Sequence, residues 1–386
     1  MGGNAFNAIL QSAAFPRLPP VVYHALKARL QPKIEQLYHL VTVPVEAPEK
    51  TDYGDLDFLV VGAKLDAIGD ENDAMTDGRI NVSHERVLEC IGAKYMNPMD
   101  GNRTSNFAVP VSKGEWDNLG HGKDELERRK VTEDGEIYYQ VDVHVCTNKP
   151  EWERIRLFHS YGDFGMILGL LVRNTGMKLG EKGLEMPIPN HPPFKLSDSF
   201  DEILPFLGLS KADHEEGFQT KREIFEWVSK LKYFDLSTFR SEGPGITKVK
   251  AERKMYAQFV DWVKEKQLAM GVSTPTEGSS HSERRQQMKD DALAFFHKQE
   301  DYDTRMRELS QFATAQSVRA RLKERFTGNT IQEWIGLPGH WRRTKQIMDA
   351  LRLQVGGEEG ILDILEQDGE DELKKLVLEI QGALPS

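Results

Sequence analysis

The sequence predicts an α+β protein, with a β-sheet flanked by helices in the first part of the chain and a mainly helical region after it. Three observations predict this. Up to Cys146 short apolar runs of strand length are separated by polar stretches. Beyond Cys146 the apolar residues recur with the 3.6-residue period of helices. With 39% hydrophobic and 29% charged residues in 386, the chain holds enough apolar material for a substantial core, divided among about two or three domains.

Taken in order, Val21, Val22, Leu26, Leu30, Ile34 and Leu37 follow Pro19-Pro20 at helical spacing and predict a helix over 20–38, with Pro32 an imperfection inside it. Strand character marks His39–Val45, Leu56–Val61, Ser105–Val111 and Ile137–Cys146, with a helix around Val87–Gly92. The polar, doubly charged stretch Lys113–Gly135 reads as an exposed insertion. Helices are predicted at Glu151–Tyr161, Phe164–Thr175, Arg222–Leu231, Ala251–Leu268, Arg284–His297 and Met306–Phe326. The runs Pro187–Pro193 and Val272–Ser282 break the pattern, and the second reads as a linker. Glu358–Glu372 is acidic and reads as a solvated helix face and loop.

Charge and cysteine usage exclude several classes. The 50 Lys+Arg against 61 Asp+Glu leave a net charge of −11, which argues against a surface wholly devoted to nucleic acid or anionic membrane. Two cysteines, Cys90 and Cys146, cannot build a disulfide framework or a Cys-rich zinc site. No stretch approaches the length of a membrane-spanning helix, so the expectation is a protein of the cytoplasm or nucleus.

The residues that carry chemistry are aspartates. In Gly54-Asp55-Leu56-Asp57-Phe58-Leu59-Val60 the strand alternation puts Asp55 and Asp57 on one face and Leu56, Phe58 and Val60 on the other. Two adjacent like charges repel unless a cation lies between them. In Gln140-Val141-Asp142-Val143-His144 the valines take one face and Asp142 the other. If the two strands are neighbours, Asp55, Asp57 and Asp142 form an oxygen-ligand cluster suited to Mg²⁺ (or Mn²⁺). Each part alone has a plainer reading, a capped turn for the dyad and a hydrogen-bonded strand aspartate for Asp142; their conjunction favours a metal site. His144 reads as a polar neighbour, since no second His or Cys stands at ligand spacing.

An Asp-x-Asp strand, a helix and a later strand with a third Asp resemble the DNA polymerase β-like nucleotidyltransferase superfamily over residues 35–160. A closer similarity, to nucleotidyltransferase-like proteins of fungi and large bacteriophages, rests on Gly2-Gly3-Asn4-Ala5-Phe6, Gly54-Asp55-Leu56-Asp57, Asn106-Phe107-Ala108-Val109-Pro110, Val141-Asp142-Val143 and Tyr161-Gly162-Asp163-Phe164-Gly165. The resemblance implies a mixed sheet in a catalytic domain over 1–160, a helical acceptor-site region over 161–271 and a C-terminal helical region over 284–386. It implies metal-dependent transfer of a nucleoside monophosphate from an NTP, ATP included, to an acceptor hydroxyl. Asp55, Asp57 and Asp142 would hold the metals and act as the catalytic residues. Lys50, Thr51, Gly54, Ser105 and Asn106 are the candidate nucleotide contacts. The acceptor expected is an RNA 3′ end or a small molecule, the former from the cations of Arg319–Arg325 and Arg342–Lys345.

One departure stands out. The superfamily places a Gly-Ser turn before the dyad, and here Pro44–Thr51 contains none and carries Glu46 and Glu49, which would repel a triphosphate. The alternative reading is therefore a degenerate fold that binds without catalysis.

Overall fold

The computed structural model describes residues 5–10, 12–67, 75–76, 79–98, 103–242, 248–271 and 280–385. Helix α1 (Pro20–Leu37) begins with proline, whose missing N–H would have had no intrahelical acceptor there, and buries Val22, Tyr23, Leu26, Leu30, Ile34 and Leu37. Pro32 costs it one ladder hydrogen bond, which the buried face offsets. Strands β1 (Tyr38–Thr42) and β2 (Asp55–Ala63) follow, then a short pair, β3 (Met75–Thr76) and β4 (Arg79–Ile80). Helix α2 (His84–Ile91) is capped by the Ser83 hydroxyl, which accepts from the Arg86 N–H at 3.2 Å. Strands β5 (Tyr95–Pro98) and β6 (Thr104–Pro110), helix α3 (Gly122–Lys130) and strand β7 (Tyr138–Val145) complete the first part.

Five of these strands form one mixed sheet in the order β1-β2-β7-β6-β5, with β2 and β7 parallel and the other pairs antiparallel. One face packs on α1 and α2 through Leu56, Phe58, Val60, Phe107, Val141 and Val143. The other face is covered in two patches. Leu59, Val61 and Cys146 meet Ile155 and Trp152 of α4 (Lys149–His159), and the Trp152 indole N–H donates to the Leu59 carbonyl at 3.0 Å. Ala108 and Tyr138 meet Phe6, Ala14 and Phe15 of the N-terminal segment.

Most of segment 113–135 is exposed, as its polarity implies, but two side chains anchor it to the core. Trp116 is fully buried, and Glu125, 2% exposed, is paired with Arg129.

Helix α5 (Phe164–Asn174) packs so closely on α4 that a Cβ on Gly165 would lie 2.0 Å from the Phe158 carbonyl oxygen, so only glycine fits. Next comes a second, antiparallel sheet, β8 (Lys178–Gly180), β9 (Gly183–Ile188) and β10 (His191–Ser197), where periodicity predicted no strand. Of the prolines of Pro187–Pro193, Pro187 falls in β9, Pro189 in the turn that follows it, and Pro192 and Pro193 in β10, an outer strand whose register shifts beside them. Helices α6 (Phe200–Phe206), α7 (Lys211–Glu216), α8 (Lys221–Val228), α9 (Lys254–Ala269) and α10 (Ser280–Phe295) follow. Most of the expected linker, 272–279, lies outside the described residues.

The chain divides into two compact units, Met1–Phe296 and His297–Ser386, where the sequence reading drew three regions with a boundary at residue 284. The second unit contains α11 (Gln299–Arg325), α12 (Gly328–Ile335), α13 (Trp341–Val355), α14 (Glu358–Gln367) and α15 (Glu370–Ala383) around its own core of Ile331, Ile347, Leu351, Ile361, Leu373 and Val377. Among the described residues, no helix is long and apolar enough to cross a membrane.

Candidate metal centre

The parallel pairing of β2 with β7 sets Asp57 directly beside Asp142 and Asp55 beside Gln140. Across the next strands the register continues from Asp142 to Asn106 and from Asn106 to Asn97, so one row of the sheet reads Asp57, Asp142, Asn106, Asn97. All project from the second face, between the α4 patch and the N-terminal patch. Carboxylate oxygens of Asp55, Asp57 and Asp142 all lie within 4.8 Å of one another.

Three carboxylates this close cannot all hold a full charge without an opposing one. Asp57 keeps solvent access from one side while protein surrounds the rest of it. Its carboxyl titrates well above the usual carboxylate range, through lost hydration first and then the charges of Asp55 and Asp142, with Lys50 opposing. Asp142 is raised to about 7, again chiefly by burial; a hydrogen bond from Asn106 works against the rise, the Asp55 charge adds to it, and a bond from Gln140 opposes it. Such a cluster favours a divalent cation, which would relieve the repulsion and hold all three oxygens charged.

Asp142 is held on both sides. The Asn106 side-chain amide donates to its Oδ1 at 2.7 Å, and the Gln140 amide donates to Oδ1 at 3.0 Å and Oδ2 at 3.1 Å. Gln140 faces it with the nitrogen because its oxygen accepts the Ala5 backbone N–H at 3.2 Å. The Asn97 amide donates to the Ala5 carbonyl at 3.0 Å, tying the N-terminal segment to the same row. Gly2 and Gly3 lie outside the described residues.

Replacing Asn106 with alanine removes the first of these donors. The pH at which Mn²⁺ binding reaches half its maximum should then rise by roughly one unit, the worth of one hydrogen bond to a charge. Calorimetric titration between pH 6 and 8.5 measures it, and an unmoved midpoint would rule out this role for Asn106.

The other sequence-predicted contacts divide. Lys50 stands with its ammonium 4.3 Å above the Tyr53 ring. Burial lowers its pKa and Arg17 adds to that, while the charges of Asp55 and Asp57 pull the other way, so Lys50 belongs to the acidic cluster's surroundings. Gly54 is buried at the entry to β2, and Thr51 is exposed. Ser105 lies on the wrong face: its hydroxyl pairs with His84 Nδ1 at 2.9 Å, on the side of the sheet that carries Phe107 and Val109. The strand alternation that brings Asn106 to Asp142 necessarily sends Ser105 away. His144 pairs with Thr104 at 2.7 Å, the polar neighbour expected.

Sequence reasoning missed the surroundings of Glu46. Its carboxylate is paired with Lys27 at 2.9 Å, and it accepts from the Tyr23 hydroxyl. Burial pushes the Glu46 pKa up, but the Lys27 hydrogen bond and charge outweigh it and leave it below the usual value. Tyr23 in turn stacks on Tyr53 with centroids 3.9 Å apart. The helical spacing of Tyr23 and Lys27, one turn apart, was the available clue.

A comparison with protein-family models finds none that matches this chain, and a comparison with curated proteins finds no match either.

Proposed function

We propose that this chain transfers a nucleoside monophosphate from an NTP to an acceptor hydroxyl, using Mg²⁺ or Mn²⁺. The observation that carries the reading is the meeting of Asp55, Asp57 and Asp142 on adjacent parallel strands. Those residues would hold the ions, which when bound neutralise phosphate charge and acidify the attacking hydroxyl. The chain's own groups supply the rest. Asp142, its orientation fixed by Asn106 and Gln140, suits a proton acceptor for the acceptor hydroxyl. Lys50 is the group placed to meet phosphate charge, and Glu46, already neutralised by Lys27, repels a triphosphate less than its sequence position implies.

The acceptor is the open part of the proposal. Of the cations that favoured an RNA 3′ end, Arg319 pairs with Glu358 at 2.7 Å, Arg321 pairs with Glu366, and Arg343 donates to the carbonyls of Gln381, Leu384 and Pro385. A polynucleotide would have to compete with those partners, which shifts our preference toward a small-molecule acceptor.

The test incubates the protein with labelled NTPs and Mg²⁺ or Mn²⁺, with and without total RNA. Incorporation that falls on the order of a thousandfold in Asp57→Ala supports the enzyme. The second reading, a binding module without catalysis, is favoured by the missing Gly-Ser turn in Pro44–Thr51. It predicts calorimetric NTP binding without incorporation. Absence of both removes nucleotide chemistry altogether.

A further inference from the structure

A cavity in the first unit, about 540 Å³ in volume, lies among α4, the segment leading into α6, and α7. None of the three clustered aspartates lines it. Its charges are almost all matched. Glu153 faces Lys149 at 3.6 Å, Arg154 faces Asp198 at 3.8 Å, Asp201 is bound by Lys211, and Glu215 lies 3.3 Å from the same lysine. Arg156 is the exception. Among the described residues no carboxylate comes within 4.0 Å of its guanidinium, which lies 5.6 Å from the Trp152 ring, and its Nε is buried without a hydrogen-bond partner.

A partly buried guanidinium without a counter-charge is costly, and the group suits a planar oxyanion on two parallel N–H donors. His214, 7% exposed, also lines the cavity with its Nε2 buried and unpartnered, while its other ring nitrogen bonds the backbone of Leu157. Burial first, and the charge of Arg156 second, depress His214 to about 4, so the ring is neutral at pH 7 and does not add a second cation beside Arg156. Arg156 is thus the cation of the lining without a carboxylate partner, among four carboxylates, Glu153, Asp198, Asp201 and Glu215, with lone pairs to spare for hydroxyl or amino donors.

We propose that this cavity binds a small organic anion carrying hydroxyl or amino groups, its phosphate or carboxylate paired with Arg156. The volume falls in the range of small-molecule sites and exceeds what a bare phosphate fills.

Calorimetry of the full chain in EDTA, which keeps the aspartate cluster metal-free, tests the proposal with three probes: inorganic phosphate, adenosine monophosphate and malonate. At least one should bind, and comparison of the first two with the third separates a phosphate ligand from a carboxylate ligand. Arg156→Gln should weaken binding at least tenfold or so, the scale of a lost charge-assisted pair. It should also raise the melting temperature of the ligand-free protein, because the unmatched charge is gone. Arg156→Lys keeps the charge without the fork and should bind more weakly than the wild type but above the glutamine variant. The idea is overturned if none of the probes binds below about 10 mM, or if Arg156→Gln binds as the wild type does. Since Asp57→Asn should leave these affinities unchanged, failure here and failure of nucleotidyl transfer are distinguishable.

Discussion

Asparagine at position 57 should make the metal-free protein more stable at pH 8 and strip it of its response to divalent metal. In the wild type the carboxyls of Asp57 and Asp142 titrate above the value they have in an unfolded chain, Asp142 near 7 against an ordinary 3.8. Well below pH 3.8 both states carry the proton and the cluster costs nothing. As the pH rises the unfolded chain ionises first, so the folded state falls behind, and the loss levels off only once both Asp57 and Asp142 have ionised. Asp57→Asn removes one of the three repelling charges and flattens that slope. Because Asp57 keeps access to solvent, the gain is on the order of 1–3 kcal/mol rather than the full Coulombic value, a rise of a few degrees in melting temperature. Mn²⁺ reverses the ranking. At a hundred times its dissociation constant it should stabilise the wild type by about 2.7 kcal/mol and the variant hardly at all. Scanning calorimetry at pH 5 and pH 8, with EDTA or Mn²⁺, gives all the comparisons. A variant that melts lower in EDTA, or gains as much from Mn²⁺, would show that the three carboxylates do not act as one cation site.

The aspartates were legible in the sequence because the strand period of two is unambiguous: it sends Asp55 and Asp57 to one face and Leu56, Phe58 and Val60 to the other. That β7 is the parallel neighbour of β2 was not legible, since β5 and β6 intervene along the chain and pairing depends on the assembled sheet. The same alternation, applied to Ser105-Asn106, would have excluded Ser105 once Asn106 was chosen. The β8–β10 sheet was hidden because Gly183, Pro187, Pro192 and Pro193 are residues that local rules read as breakers, whereas Pro192 and Pro193 sit on an outer strand and the register shift beside Pro187 makes room for it. The N-terminal segment was hidden for another reason. Phe6 is fully buried, stacked at 5.2 Å on Phe15, but an isolated aromatic has no period to reveal its partner.

Glu125→Ala should be strongly destabilising, costing about 3–5 kcal/mol. The residue lies in a stretch whose composition reads as solvent-exposed, yet its carboxylate accepts the backbone N–H groups of Gly114 at 2.9 Å and Trp116 at 2.8 Å and pairs with Arg129 at 2.8 Å. Burial pushes its pKa up, but those donors outweigh it and hold the group below the usual glutamate value, so its contribution is present at neutral pH and lost as the pH falls through that lowered value. Arg129 in turn donates to the carbonyls of Gly135 at 3.0 Å and Val111 at 2.8 Å, closing the base of the segment. Above this network Trp116 is clamped into the core: its indole N–H donates to the Tyr139 hydroxyl at 2.8 Å, which donates to Glu115 at 2.8 Å, itself paired with Arg29 of α1 at 2.9 Å. Removing the carboxylate strands Arg129 beside two unmet N–H groups, and Trp116 loses the turn that positions it. Glutamine should rescue little, because its NH₂ would oppose donors that now meet oxygen. Urea denaturation followed by tryptophan fluorescence reads the effect, with the emission expected to shift red at lower urea than in the wild type. A loss below about 1 kcal/mol would mean that segment 113–135 is the peripheral insertion its polarity suggests, and that β7, with Asp142 on it, is held by the sheet alone.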